Sequence, residues 1–275
     1  MVLRPLAAEA EKAAPTAHDR PRPVWALVAE RQKCRAERYW LISQPDHANL
    51  SGELAANFVS QSFPRISPAM ARAIATHDAG WAIFPQESTP SASPQLAADG
   101  KPLAFVECRA PEFVRAWTTS ISRAEEICAA GGIIVSRHFC ALGGFRLRNS
   151  DSLSEDDRQL IANFTRSEGE RQQRLLATCS CSAAELDGWL EVLQFCDLLS
   201  LYLCSGAQQA AEFPQKLTER PVRIHYDCAQ SLYRLNPSPF QGDSAPRAVS
   251  LAVTARSYPP AGGKTEVATL SFKLA

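Results

Sequence analysis

The chain has 275 residues, with 29 Lys and Arg against 29 Asp and Glu and five His, so its formal charge at pH 7 is zero. That balance argues against a generally basic nucleic-acid binder and against an acidic, solvating chain. A hydrophobic content of 45% is globular, and the length has room for one large domain or two modest ones.

Nine cysteines, an odd number in a chain that opens without a secretory apolar segment, predict reduced thiols that act mostly as small buried hydrophobes. Cys179-x-Cys181 has no second close pair and does not read as a zinc site. The longest uncharged stretch, Leu198 to Ala211, is too short for a bilayer, which needs about 20 apolar residues. The expectation is a cytoplasmic protein with no membrane and no nucleic-acid partner.

In chain order, residues 1 to about 22 mix Ala, Pro and charge without a sustained apolar period and read as a mobile extension. Val24–Val28 and Tyr39–Ser43 read as two short strands. From His47 the period becomes helical, with Leu50, Leu54 and Phe58 on one face. Ser67-Pro68 starts a helix that runs to about Asp78 and stops at Gly80. Residues 82–110 carry four prolines among small residues and read as an irregular excursion. Helical spacing returns at Pro111 through Phe113, Trp117 and Ile121 and leads to Gly131-Gly132. A short apolar segment, Ile133 to Leu142, holds His138. Ser154 and Asp157 open a helix through Leu175, and the capping box Ser182–Glu185 opens a long apolar helix to Cys204.

After about Glu212 the pattern alternates, at Val222, Ile224 and Tyr226, at Val249, Leu251 and Val253, and at Val267, Thr269 and Ser271. Turn signals at 237–239 and 259–263 separate these runs. The expected fold is α+β: a helical core over about 46–211 between short N-terminal strands and a C-terminal antiparallel β-meander over about 212–275. Residues 23–275 are read as one domain.

Asp197 breaks the local rule. Leu186, Leu190, Leu193, Asp197, Leu201 and Cys204 share one face of the last helix. An aspartate in an apolar stripe costs several kcal/mol unless a cation or a set of N–H donors compensates. A buried Asp–Arg pair would suffice. His77-Asp78 at a helix end can aim an imidazole nitrogen and a carboxylate oxygen at one point, a donor pair suited to a divalent metal of intermediate hardness. A core histidine bonded to a backbone carbonyl is the simpler account of His77 alone. His47 opens the helix thirty residues earlier, in Gln-Pro-Asp-His.

In that order the residues resemble the HD superfamily of metal-dependent phosphohydrolases, whose signature is a distant His, a His-Asp pair and a final Asp. The wording is closer still to an uncharacterised bacterial family with HD-like features. The matching segments are Ile-Ser-Gln-Pro-Asp-His-Ala-Asn-Leu-Ser-Gly-Glu-Leu-Ala (42–55), His-Asp-Ala-Gly-Trp (77–81), Gly-Lys-Pro-Leu-Ala-Phe (100–105), Val-Ser-Arg-His (135–138) and Cys-Asp-Leu-Leu-Ser-Leu-Tyr-Leu-Cys (196–204). The resemblance covers roughly residues 24 to 270 and extends the expectation to an HD-like core.

By this resemblance His47, His77, Asp78 and Asp197 are ligands of a divalent metal, one of Mn, Fe, Mg, Ni or Zn. His138 is a fifth inward group, a ligand of a second metal or a substrate contact, and Asp78 and His138 are the candidate catalytic groups. Arg137 is the candidate phosphate contact and Trp81 a candidate pocket wall, although a solvated arginine and a core tryptophan explain them equally well. His18 and His225 stay outside the site. A metal-bound hydroxide attacking a small phosphorylated substrate is the implied chemistry. The continuation after His77-Asp78, Ala-Gly-Trp, lacks the basic residue that HD phosphohydrolases often place there. An HD-type iron oxygenase and a non-catalytic sensing module are the alternatives. Gly263-Lys264-Thr265 resembles the end of a P-loop, but Tyr258 stands where its first glycine belongs, so it reads as a hairpin turn.

Overall fold

Serines set the helix starts. Ser43, Ser67, Ser154 and Ser182 each place a side-chain oxygen on the backbone N–H three residues on, satisfying a donor the helix itself leaves unpaired. The computed structural model describes residues 1–6, 21–59, 63–89, 91–150, 153–216, 220–240, 248–260 and 264–275. Helices α1 (Val24–Lys33), α2 (Gln44–Ala56), α3 (Pro68–Ala75), α4 (Pro85–Ser88), α5 (Ala110–Ile127), α6 (Ala129–Asn149), α7 (Glu155–Leu176) and α8 (Ala183–Ser205) lie beside strands β1 (Val2–Leu6), β2 (Arg22–Pro23), β3 (Arg38–Ile42), β4 (Ala211–Lys216), β5 (Pro221–Asp227), β6 (Leu232–Asn236), β7 (Val249–Tyr258) and β8 (Val267–Leu274). The fold is α+β.

All eight strands join one sheet in the order β1-β3-β7-β8-β6-β5-β4-β2. The expected C-terminal meander is therefore corrected. β7 and β8 form a long hairpin, but β8, not β7, adjoins β6, and that pairing is parallel. Alternation in sequence marks each strand without stating which strand lies beside it. Val249, Leu251, Val253 and Ala255 of β7 are buried while Ser250, Ala252 and Thr254 between them are exposed, so one face of the sheet meets the helices.

The N-terminal expectations change as well. Val24–Val28 is the start of α1, not a strand: the run continues into Ala29-Glu30-Arg31-Gln32-Lys33, and Val24, Leu27, Val28 and Arg31 bury one helical face. Val2–Leu6, read as part of a mobile extension, is the edge strand β1, antiparallel to β3. Residues 7–20 of that extension, His18 included, lie outside the described residues, as do residues 261–263 of the expected turn. The edge of β1 is covered by the fully buried Gln32, whose side-chain amide accepts from Leu3 N–H (2.8 Å) and donates to Leu3 C=O (3.0 Å). The side chain thus occupies the backbone groups an open edge would offer to another strand.

In the helical layer, Trp117 of α5 stacks on Phe139 of α6 with ring centroids 4.9 Å apart, and Phe113 and Phe164 close the cluster. Burying side chains of this kind contributes about 1.5–3 kcal/mol each. Gly131 and Gly132 do not end a helix. α5 stops at Ile127, and both glycines lie in the first turn of α6, where a Cβ on Gly131 would come within 2.5 Å of Ala73 Cβ. They are there for close packing against α3 and α5, so Ile133 to Leu142 is mid-helix. All nine cysteines are free. Only Cys196 and Cys204 are fully buried and Cys228 is exposed, so most are half-buried rather than core residues. Among the described residues no helix is long and apolar enough to cross a membrane.

After α3 the chain turns through Thr76–Asp78 into a 3-10 segment, Ala79–Ile83, that packs on α5. Gly80 N–H donates to Ser120 Oγ, and a Cβ at Gly80 would run into the Ala116 carbonyl oxygen and the Ser120 backbone nitrogen. Gly80→Ala is expected to lower stability by about 1–3 kcal/mol by overpacking. The measurement is urea unfolding, with a lower midpoint at an unchanged slope.

Candidate metal centre

Four separate elements bring His47, His77, Asp78, His138 and Asp197 to one place. His47 lies in the first turn of α2 and is fully buried. Its Nδ1 is 2.8 Å from Ser200 Oγ and its Nε2 is 2.9 Å from Asp78 Oδ2. Ser200 donates its own proton to the Asp197 carbonyl (2.8 Å), which leaves its oxygen to accept from His47 Nδ1–H. Ser51 Oγ lies 2.8 Å from Ser200 Oγ and supports the same hydroxyl.

His77 is held the same way by different chemistry. Its Nδ1 donates to the Ile74 carbonyl at 2.8 Å. Its Nε2 faces Asp197 Oδ1 at 3.3 Å and Asp78 Oδ2 at 3.8 Å, yet is buried without an aligned hydrogen bond. In both histidines the Nδ1 proton is committed to a fixed acceptor, so the neutral ring presents a lone pair at Nε2. Each lone pair looks at a carboxylate. Such a pair of electron-rich atoms needs a proton or a cation between them.

Asp78 is oriented by Trp81, whose indole N–H donates to Oδ1 at 3.1 Å and leaves Oδ2 for the imidazoles. Asp197, on α8, sets Oδ1 against His77 and Oδ2 3.6 Å from His138 Nε2. His138, on α6, is 4% exposed, and its Nδ1 has no hydrogen-bond partner. The His77 ring stands nearly perpendicular to both of its neighbours, 5.1 Å from His47 and 5.8 Å from His138.

Burial opposes charge on His77, but contact with the Asp197 carboxylate and the charges of Asp78 and Asp197 outweigh it and raise the imidazole to about 9. Burial likewise opposes ionisation of Asp197, yet the His77 contact and the neighbouring imidazoles hold it at about 2. Burial dominates at His138 and lowers it to about 4, with the Asp197 charge only partly offsetting, so this ring is neutral near pH 7.

His47, His77 and Asp78 offer ligand atoms that all lie within 4.8 Å of one another. Asp197 extends the group on the His77 and His138 side. Two nitrogens and two carboxylates are a donor set for a divalent ion of intermediate hardness, and the unpaired His77 Nε2 fits a ligand role.

Arg137 and Trp81 both contact protein groups. Arg137 forms an ion pair with Asp187 of α8 at 2.9 Å through one Nη1 donor. Trp81 is buried and its indole N–H donates to the Asp78 carboxylate. Glu53 is exposed on α2, and His225 is exposed on β5. Ser200 and Ser51 were missed. The only signal for Ser200 was its place one turn after Asp197 on the same helix, and Ser51 had none beyond its position four residues after His47.

The profile of a family described as "Protein of unknown function (DUF3891)" matches residues 32–257. No curated protein and no solved structure matches the chain.

A proton on His77 competes with a metal for Nε2, so apparent Zn²⁺ affinity is expected to rise about tenfold per pH unit between 7 and 8 and to level off above about 9. Competition with a chromophoric chelator measures this, and a flat profile would exclude His77 Nε2 as a ligand. Trp81→Phe keeps the ring volume but removes the indole donor, and is expected to weaken metal binding by about 10–100-fold in the same assay.

Proposed function

The chain belongs to this family of unknown function, and we propose that it is an HD-like, divalent-metal-dependent hydrolase of a small phosphorylated molecule. The observation that carries this reading is the convergence of His47, His77 and Asp78, with both imidazoles locked through Nδ1 so that Nε2 faces the carboxylates. The ordered set of His, His-Asp and Asp along the chain supports it.

His47, His77, Asp78 and Asp197 would hold the ion. A bound divalent cation supplies a Lewis acid and brings the pKa of a coordinated water towards neutrality. The protein's own contribution is positional. Ser200 and the Ile74 carbonyl hold the two imidazoles, and Trp81 holds the Asp78 carboxylate, so the ligand atoms need little reorganisation. His138 is the group left over for proton movement. Neutral near pH 7 and buried with an unpaired Nδ1, it can take a proton from a water or a substrate hydroxyl and return it to a leaving oxygen. Near-complete burial of His47, His77 and His138 keeps bulk water from competing at these atoms.

The test is turnover of p-nitrophenyl phosphate by full-length protein loaded with Mn²⁺, Ni²⁺ or Zn²⁺. The expected result is metal-dependent hydrolysis that chelation abolishes and that His77→Ala and Asp78→Ala eliminate along with metal binding. His138→Ala is expected to retain the metal and lose about a hundredfold in kcat. A fully metal-loaded wild-type protein that turns over no phosphoester would overturn the hydrolase reading and leave a binding module.

A further inference from the structure

Three of the cysteines gather where α5 gives way to α6 and α7 gives way to α8. Cys128 immediately precedes α6, and its Sγ accepts the Gly131 backbone N–H at 3.3 Å. α7 ends against the same turn, since a Cβ on Gly132 would meet Leu175 Cδ1 at 3.1 Å. In the connection that follows, Cys179 and Cys181 are half-buried and pack against the apolar core, while Ser180 between them is exposed. The two side chains therefore turn to the same side of an extended segment. There they touch: Cys181 donates its S–H to the Cys179 sulfur, and the charge of Cys128 reaches Cys181. Burial and then the Cys179 contact push the Cys181 thiol up to about 11, so Cys181 keeps its proton and Cys179 is left as the nucleophile. Among the described residues the group of three ligand atoms close enough for one metal is the histidine–aspartate one, so these sulfurs make a dithiol and not a metal cage.

We propose that Cys179 and Cys181 form a thiol–disulfide exchange site that reacts with a small organic disulfide of the glutathione disulfide type and closes to a bridge across Ser180. The site is separate from the metal centre and does not depend on the hydrolase reading. Cys179 attacks one sulfur of the organic disulfide, whose S–S bond breaks, and one organic thiol leaves with the Cys179 proton. Cys181 then attacks the Cys179 sulfur of the mixed disulfide, gives up its own proton and expels the second organic thiol. The two cysteines lose two electrons and two protons, and the organic disulfide gains them. Geometry permits the closure. Residues two apart span at most about 7 Å between Cα atoms, and a bridge takes about 4.4–6.8 Å, so slight bending suffices. Ala177, Thr178 and Ser180 are exposed, which opens the segment to a reagent.

The test equilibrates full-length protein with rising ratios of glutathione disulfide to glutathione and traps free thiols with iodoacetamide. Cleavage at glutamates then isolates residues 171–185, away from Cys128, Cys196 and Cys204. The expected product is that peptide with both cysteines unalkylated and no glutathione attached, and dithiothreitol restores both thiols. Cys181→Ser is expected to stop at the mixed disulfide and to hold at least about tenfold more glutathione on Cys179 than the wild-type chain, because a neighbouring thiol acts at high effective concentration. The wild-type peptide decides by itself should that variant not fold. Cys228, exposed just after β5, shows what exposure alone gives. If Cys179 and Cys181 are both still alkylated when Cys228 carries glutathione, the proposal is overturned. A bridge from either cysteine to Cys128, or glutathione retained on Cys179 of the wild-type chain, overturns it as well.

Discussion

An aspartate carboxylate withdrawn from water costs several kcal/mol unless opposite charge and hydrogen bonds replace its hydration. This chain withdraws two of them, Asp78 and Asp197, at a single place. The compensation comes from imidazoles that start far away in sequence: His47 on α2, His77 after α3 and His138 on α6, against Asp197 on α8. None of these helices can shift alone without stranding a buried charge. The cluster therefore constrains the register of the helical layer more tightly than apolar packing would, because apolar contacts tolerate small slides and a 2.9 Å hydrogen bond does not.

The supporting contacts show how that constraint is met at low cost. His77 is fixed by the Ile74 carbonyl at the end of its own helix, which also accepts the His77 backbone N–H. His47 is fixed by a serine whose proton already caps a carbonyl one turn back on α8. Trp81 folds back on Asp78 across three residues because the 3-10 segment after the His-Asp pair tightens the chain. That segment in turn depends on Gly80 lying flat against α5. The turn, the carboxylate rotamer and the imidazole direction are one mechanical unit.

What could be read from the chain follows the same physics. Asp197 was legible because it violates a local rule, interrupting an apolar stripe, and a lone rule-breaker of that kind demands partners; His47, His77 and His138 were joined to it by the family resemblance, since each alone fits an ordinary structural role. Helix starts were legible at Ser67, Ser154 and Ser182 because capping is local. Val24–Val28 was misread because five apolar residues fit a strand and a helix equally well, and the tie is settled only by what α8 and β1 offer to pack against. Ile133 to Leu142 was set apart as a short segment after Gly131-Gly132, whereas both glycines lie inside α6, where the bulk of Ala73 and Glu125 requires them. The parallel pairing of β6 with β8 and the Trp81–Asp78 bond are set by tertiary geometry and leave no periodic trace.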